Sequence, residues 1–191
     1  MIFIKNPEKG KVKTRLAKDV GDEKALKIYR QLLDLTRRAT EKFEAEKWLW
    51  YSWYIEKNDN WDGDSYHKKN QAEGNLGEKM KFAFEQAFQQ GFKKVVIIGS
   101  DCPEIEASLI NQAYQALDQQ DVVLGPANDG GYYLMGMRSY YNFFEGINWS
   151  TEAVLDQTIE KIRQKNLSFA LLKELTDLDN IQDLKKFDSL C

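Results

Sequence analysis

Val95-Val-Ile-Ile-Gly-Ser-Asp-Cys-Pro103 decides the fold. Four β-branched residues, good strand formers, end abruptly in Gly99-Ser100 and are followed at once by a carboxylate. The run reads as a buried strand that delivers Asp101 to a sheet edge. Strands buried on both faces read as continuous apolar runs and belong to α/β proteins. Open α/β sheets bind ligands beyond the carboxyl ends of their strands. Asp101 is therefore the first candidate for a metal ligand.

Working outward, Asn75-Leu-Gly-Glu78 places an N-capping side chain three residues before Glu. The face Leu76, Met80, Ala83, Phe84, Ala87, Phe88 then predicts a helix that ends near Gly91 and leads into the central strand. Upstream, residues 1–5 read as a strand and residues 22–46 as a helix, with Ala25, Ile28, Tyr29, Leu32, Leu33, Thr36, Ala39 and Phe43 on one face. Residues 48–55 are dense in aromatics and predict a second strand, whereas residues 56–74 are polar, without period, and read as loop. Downstream, Pro103 suits a first helical turn, with Leu109, Ile110, Ala113, Tyr114 and Leu117 facing inward. Strands follow at 121–125, 131–137 and 168–172, with a helix at 151–165. Alternation of strand and helix, with no repeat and no linker-like tract, predicts one domain over residues 1–191, a three-layer αβα sandwich.

Composition narrows the chemistry. A chain of 191 residues that is 42% hydrophobic and 30% charged has room for a core. A net charge of -3 is too balanced to imply a nucleic-acid partner. No apolar run approaches a membrane span, and Lys5 and Pro7 follow the first apolar residues where a leader would continue, so a cytoplasmic location is expected. One histidine, His67, and two cysteines, Cys102 and Cys191, cannot build a His/Cys zinc site, and His67 lies in polar sequence far from any nucleophile elbow. A metal here takes carboxylate, carbonyl and water ligands, which suits Mg²⁺ or Mn²⁺, ions that usually accompany phosphates.

Four segments offer candidate side chains. Lys9-Gly10-Lys11-Val12-Lys13-Thr14-Arg15 follows the first strand and can hold a diphosphate or triphosphate, or be a solvated basic turn. It lacks Walker spacing, and no Gly-x-Gly-x-x-Gly follows a strand. Asp101 itself can be a ligand or merely cap the helix that Pro103 opens. Cys102 beside it suits a small buried residue better than a nucleophile. Asp129-Gly130-Gly131-Tyr132 lets the backbone approach a ligand, with Asp129 orienting a hydroxyl or serving as base, or it is a hairpin turn. Asp177-Leu-Asp179 can add a second metal ligand or cap a short helix carrying Leu184 and Phe187, and Ser150 can cap the helix after Trp149 while Trp149 lines an acceptor pocket.

As an ordered set, the segments resemble a known family: the small bacterial transferases associated with radical-SAM and selenodomain proteins, glycosyltransferase-like or phospholactate guanylyltransferase-like members of the GT-A nucleotide-diphospho-sugar transferase superfamily. The resemblance rests on Lys5-x-Pro7-x-x-Gly10-x-Val12-Lys13-Thr14-Arg15-Leu16, Gln71-x-x-Gly74-x-Leu76-Gly77, Gly99-Ser100-Asp101-Cys102-Pro103, Gly125-Pro126-Ala127-x-Asp129-Gly130-Gly131-Tyr132, Trp149-Ser150-Thr151 and Asp177-x-Asp179. It implies a Rossmann-like GT-A fold with a mostly parallel mixed sheet and a divalent ion, Mg²⁺ or Mn²⁺, at Asp101 with Asp179 as second ligand. It implies phosphates held by the loop of Lys5, Gly10, Lys13 and Arg15. On that basis the turn of Gly74 and Gly77 would approach base or ribose. Asp129 with Gly130, Gly131, Tyr132, Trp149 and Ser150 would face a small-molecule acceptor. The expected activity is glycosyl transfer from a nucleotide-sugar. Nucleotidyl transfer with release of pyrophosphate is the alternative; the opening lacks the glycine-rich pattern usual for it. A non-catalytic nucleotide-binding module and a plain interaction protein are the remaining readings.

Overall fold

Residues 95–98 form the expected strand, and all four side chains are buried. In the computed structural model, which describes residues 1–187 and 190, the element order is β1 (Ile2–Ile4), α1 (Thr14–Val20), α2 (Asp22–Glu41), β2 (Trp48–Tyr51), β3 (His67–Asn70), α3 (Leu76–Gln89), β4 (Val95–Ile98), α4 (Ala107–Ala116), β5 (Val122–Pro126), β6 (Tyr132–Met137), α5 (Val154–Gln164), β7 (Phe169–Leu171) and α6 (Ile181–Leu184). Cys191 lies outside the described residues. The strands form a seven-stranded mixed sheet, mostly parallel and flanked by helices, in the order β3-β2-β1-β4-β6-β5-β7. The expected α/β class is borne out. No helix among the described residues is long and apolar enough to cross a membrane.

The chain divides into two compact units. The first holds residues 2–70, 99–107 and the chain from Thr176 on. Here β1, β2 and β3 run parallel, with Ile2 opposite Leu49 and Trp48 opposite His67. Helix α2 buries the expected stripe, Ala25, Ile28, Tyr29, Leu32, Leu33, Thr36 and Ala39, and carries Asp22 and Glu23 in its first turn, where carboxylates favour the helix dipole. It stops at Glu41 rather than at residue 46, and the Lys47 ammonium takes the Phe43 carbonyl just beyond its end at 2.9 Å. Strand β2 stops at Tyr51 rather than at 55 because the buried Asn6 side chain captures the chain beyond it. Asn6 Oδ1 accepts from the Trp53 amide and Asn6 Nδ2 donates to the Tyr54 carbonyl.

Strand β3 lies within the stretch expected to be loop. His67, Lys68, Lys69 and Asn70 carry no apolar alternation, because the strand is the sheet's edge, where charge discourages further pairing. Lys69 lies 3.9 Å over the Trp48 ring, so a charged residue still covers apolar surface.

The second unit holds residues 1, 71–98 and 108–175. Its strand β6 is antiparallel to both β4 and β5. The turn joining β5 to β6 is the Asp-Gly hairpin that the sequence offered as the plain alternative at 129–131, with Ala127 N–H donating to the Gly131 carbonyl at 3.0 Å. Helix α3 begins as expected, with Asn75 and Glu78 exchanging both capping-box bonds. Helix α5 begins at Val154, not at 151, and has no side-chain cap, so Ser150 does not cap it.

Strand β5 is entered through Asp121. Its carboxylate accepts from the Ser168 amide and hydroxyl, both at 2.8 Å, from Tyr141 at 2.9 Å and from Arg138 at 2.7 Å. Burial works against the charge, but these donors outweigh it and hold the carboxyl far below the usual range. A depressed carboxyl contributes stability above its ordinary pKa that fades as pH falls below it. Asp121→Asn is expected to cost on the order of 2 kcal/mol at pH 7. Chemical denaturation at pH 7 and pH 3 should show the gap between wild type and variant shrinking at the lower pH.

Candidate active site

In the first unit the loops that follow β1 and β4 meet the segment before α6. The Leu178 amide donates to the Asp101 carbonyl at 2.9 Å, so two backbones are already paired there. The Lys13 ammonium reaches both, lying 2.6 Å from Asp101 Oδ1 and 2.5 Å from the Leu178 carbonyl. Two residues on, Arg15 Nη1 pairs with Asp179 Oδ2 at 2.7 Å. The structure therefore brings together Lys13, Arg15, Asp101 and Asp179. Helix α4 begins at Ala107, so Asp101 does not cap a helix at Pro103, and Asn180, not Asp177 or Asp179, caps α6.

The cations of this loop separate by what they touch. Lys9 pairs with Glu23 at 2.5 Å and Lys11 with Glu8 at 2.6 Å, both on the surface. For those two the solvated-turn reading is right. Gly10, at φ 73, turns the loop between them. Lys13 instead points inward, with 4% of its side chain exposed, and its backbone adopts the left-handed conformation at φ 49. A non-glycine residue is held in that region only when its surroundings insist on it, and such positions cluster at functional sites. Asp101 keeps 43% of its side chain exposed and Arg15 keeps 73%. Burial alone would raise the Asp101 carboxyl; the charge and hydrogen bond of Lys13, with the charge of Lys5, outweigh it and hold it below the usual carboxylate range. Cys102 is buried, and burial with the charge of Asp177 pushes its thiol up to about 12. These surroundings disfavour the thiolate that a nucleophile needs.

Tyr29 and Ser100 support this cluster, though the sequence offered Tyr29 only as a core position and Ser100 only as part of a motif. The Tyr29 hydroxyl accepts from the Lys5 amide at 2.8 Å and bonds Ser100 Oγ at 3.1 Å, tying the end of β1 to the residue before Asp101. The available signal was a tyrosine inside an apolar helix stripe, since a buried hydroxyl needs partners. Beside the Asn6 latch lies a cavity of about 490 Å³ lined by Pro7, Arg30, Tyr51 and Trp61 among others, also unannounced by any motif.

In the second unit a different set gathers. A Cβ on Gly77 would stand 2.4 Å from three atoms of the Trp149 indole, so the empty side of Gly77 is filled by Trp149. A Cβ on Gly130, at φ 84, would stand 2.0 Å from the Glu152 carbonyl, and the Gly130 carbonyl accepts from the Leu155 amide at 2.8 Å. Asp129 Oδ1 accepts from the Gly131 amide at 2.9 Å, and the residue is exposed. The Tyr132 hydroxyl is buried, facing Thr158 rather than solvent. Ser150 sits in the left-handed region at φ 65, and Gly74 is exposed at φ 100.

The family described as an uncharacterized protein conserved in bacteria (DUF2064) matches residues 35–151. The chain belongs to this family. Its structure is similar to that of a "putative nucleotide-diphospho-sugar transferase" from Desulfovibrio desulfuricans G20, with a TM-score of 0.86, 34% identity, and 96% of this chain and 82% of the other covered. More distant likenesses show the fold. They include the 2-C-methyl-D-erythritol 4-phosphate cytidylyltransferase of Thermus thermophilus, with a TM-score of 0.58, 14% identity, and 83% and 87% of the two chains covered. The Rv0371C protein of Mycobacterium tuberculosis H37Rv, seen in complex with manganese, is another, with a TM-score of 0.53, 12% identity, and 83% and 84% covered. No curated protein matches the chain in sequence.

The donor set of the DUF2064 chain bears on a metal. Among the described residues no three His, Cys, Asp or Glu side chains group as a metal site. A magnesium-like ion nonetheless needs only one or two protein carboxylates when phosphates and waters complete its octahedron. Asp101 and Asp179, all-oxygen donors beside two cations, fit an ion carried with phosphates and do not fit an all-protein cage.

The packing of Gly77 gives a direct test. Gly77→Ala is expected to destabilise by about 1–3 kcal/mol, the usual penalty for overpacking. In a Trp149→Ala background the same change should cost nearly nothing, and thermal or chemical denaturation of the four proteins measures the difference.

Proposed function

We propose that the DUF2064 chain is a divalent-metal-dependent transferase acting on a nucleotide-activated substrate, and that it transfers a glycosyl group from a nucleotide-sugar to a small-molecule acceptor. The observation that carries this reading is the double pairing of Lys13 with Asp101 and Arg15 with Asp179. Two carboxylates and two cations gathered in loops beyond the strands form a set that matches a metal–diphosphate pair in charge. The name carried by the Desulfovibrio relative supports the choice of a nucleotide-sugar, and the motif resemblance to the transferases associated with radical-SAM and selenodomain proteins points the same way.

In this reading Asp101 and Asp179 hold Mg²⁺ or Mn²⁺, which when bound offsets the charge that develops on the leaving phosphate. Arg15 and Lys5, both exposed, bind phosphate oxygens, and Gly10 leaves the loop backbone open to them. Lys13 fixes the Asp101 carboxylate and keeps it ionised. The exposed turn at Gly74 approaches base or ribose, while Gly77 serves by seating Trp149. Asp129, aimed by its bond to the Gly131 amide, orients the acceptor hydroxyl and takes its proton. Trp149 offers the acceptor an aromatic face, beside the unusual Ser150 turn.

The test is a screen of UDP-, GDP-, ADP- and CMP-sugars and of NTPs for metal-dependent thermal stabilisation, followed by product analysis. Wild type is expected to be stabilised by one donor with Mg²⁺ or Mn²⁺ and to release a nucleoside diphosphate or monophosphate. Asp101→Asn is expected to lose the metal-dependent part and to turn over about 10²-fold or more slowly, the scale on which charge-stabilising groups act. Pyrophosphate released from an NTP and a phosphorylated acceptor would replace glycosyl with nucleotidyl transfer. Metal-dependent stabilisation unchanged in Asp101→Asn would refute the site.

A further inference from the structure

We infer that the cavity beside the Asn6 latch, between α2 and the loop that follows β2, is a binding site for an uncharged, hydroxyl-rich ring, the pyranose of a free or conjugated sugar. None of the residues that carry the transfer proposal lines this cavity, so the inference stands apart from that reading.

Local sequence builds the walls. Arg30, Leu33, Asp34 and Arg37 fall at i, i+3, i+4 and i+7 of α2, so one side of the helix presents all four. The other wall is the polar stretch 54–61, which Asp59 holds in place. The Asp59 carboxylate accepts from the Trp61 amide at 3.0 Å, from the Lys68 ammonium at 2.7 Å and from the Tyr51 hydroxyl. Lys68 also reaches the Glu56 carbonyl at 3.0 Å. The space enclosed, about 490 Å³, has the size of a small-molecule pocket, and every lining residue lies in the first unit.

The lining selects by charge and by hydrogen bonding. The guanidiniums of Arg30 and Arg37 balance the carboxylates of Asp34 and Glu56, while Asp59 is answered by Lys68. An anion would face both carboxylates, and a cation both guanidiniums. A guanidinium only donates, a carboxylate only accepts, and the amides of Asn58 and Asn60 do both. A hydroxyl also does both, so a ring of hydroxyls can satisfy all three kinds of partner at once. Arg37 supplies a specific donor. Its Nη1 is held by Glu41 at 3.3 Å, but its Nε is buried without a hydrogen-bond partner, because Asp34 Oδ1 stands 3.9 Å away, too far to accept. A buried donor in that state is a standing cost that a ligand oxygen removes. The aromatic lining complements the hydroxyls: Tyr54 is 45% exposed, Trp61 is buried, and the C–H face of a pyranose packs on such rings.

The test is a titration of isotope-labelled protein with D-glucose, D-galactose, D-mannose and N-acetyl-D-glucosamine, with acetate and glycine as anionic and zwitterionic controls. The proton–nitrogen NMR spectrum reports the Arg37 Nε–H, the Trp61 indole N–H and the amides of residues 54–61. At least one sugar is expected to shift these signals saturably, and acetate and glycine are not. Arg37→Lys keeps the charge and loses the planar fork, and Asp34→Asn changes a side chain that is 44% exposed. Each is expected to weaken sugar binding about tenfold or more, the worth of a hydrogen bond to a charged group. An Arg37 that mattered only for folding would lower the thermal midpoint of Arg37→Lys and leave its sugar affinity unchanged. Unchanged affinity in both folded variants overturns the site, as does a spectrum that no sugar shifts. A response to acetate or glycine without one to the sugars overturns the ligand class. Shifts confined to the residues around Lys13 and Asp101 would put the sugar in the transfer site and overturn the inference as well.

Discussion

The ion pair between Lys13 and Asp101 is the constraint on which the candidate site depends. One buried ammonium joins the loop after β1, the loop after β4 and the segment before α6, because its two partners are the Asp101 carboxylate and the Leu178 carbonyl. The cost of burying a charge is met only when it is paired and hydrogen-bonded, so these three segments are held in one arrangement by a requirement stronger than packing alone. The left-handed backbone at Lys13 belongs to the same arrangement, since local strain persists where the surroundings over-determine it. Tyr29 adds a neutral clamp between Lys5 and Ser100 that steadies the strand ends against the pull of the charges.

The fold was legible where apolar pattern and burial coincide. Val95 to Ile98 could be read because four buried β-branched residues leave few alternatives, and α2 because its stripe recurs at helical spacing from Ala25 to Ala39. Strand β3 was hidden for a physical reason: an edge strand needs no apolar face, so His67 to Asn70 look like loop until the pairing with β2 is seen. The helix ends differ from the pattern at Phe43, where Lys47 takes the carbonyl just past the last turn, and at Pro103, where Glu104 accepts from the Thr176 amide, remote in sequence, ahead of a helix that starts only at Ala107.

The site was legible in its members and not in its pairings. Position beyond a strand nominated Asp101 and a late acidic segment suggested Asp179, while the family resemblance singled out Lys13 and Arg15 within the basic loop. Charge alone did not distinguish Lys13 from Lys9 and Lys11, which the structure sends to Glu23 and Glu8 on the surface; only the family resemblance did. The discriminating signal was Val12, buried at 2% exposure, which marks where the loop turns inward. Leu178 between two acids carries the same message, since a fully buried leucine flanked by carboxylates fixes which side of the segment faces solvent.

Glycine carried two meanings that a sequence cannot separate. At Gly10 the positive φ explains the residue, because a side chain would be strained where the loop turns. At Gly77 the backbone is ordinary helix and the reason is the Trp149 indole, which occupies the space a Cβ would need. A motif glycine expected to admit a ligand here admits a side chain of the same chain, and so determines where an aromatic face is presented. The same logic holds at Gly125, where the Tyr133 ring lies over the strand and its hydroxyl reaches the Lys173 carbonyl. With one histidine and a buried cysteine, the chain has little reactive side-chain chemistry of its own among the described residues. Its resources are charge pairs on one set of loops and shaped aromatic surface on another, the two features on which the proposed transfer is built.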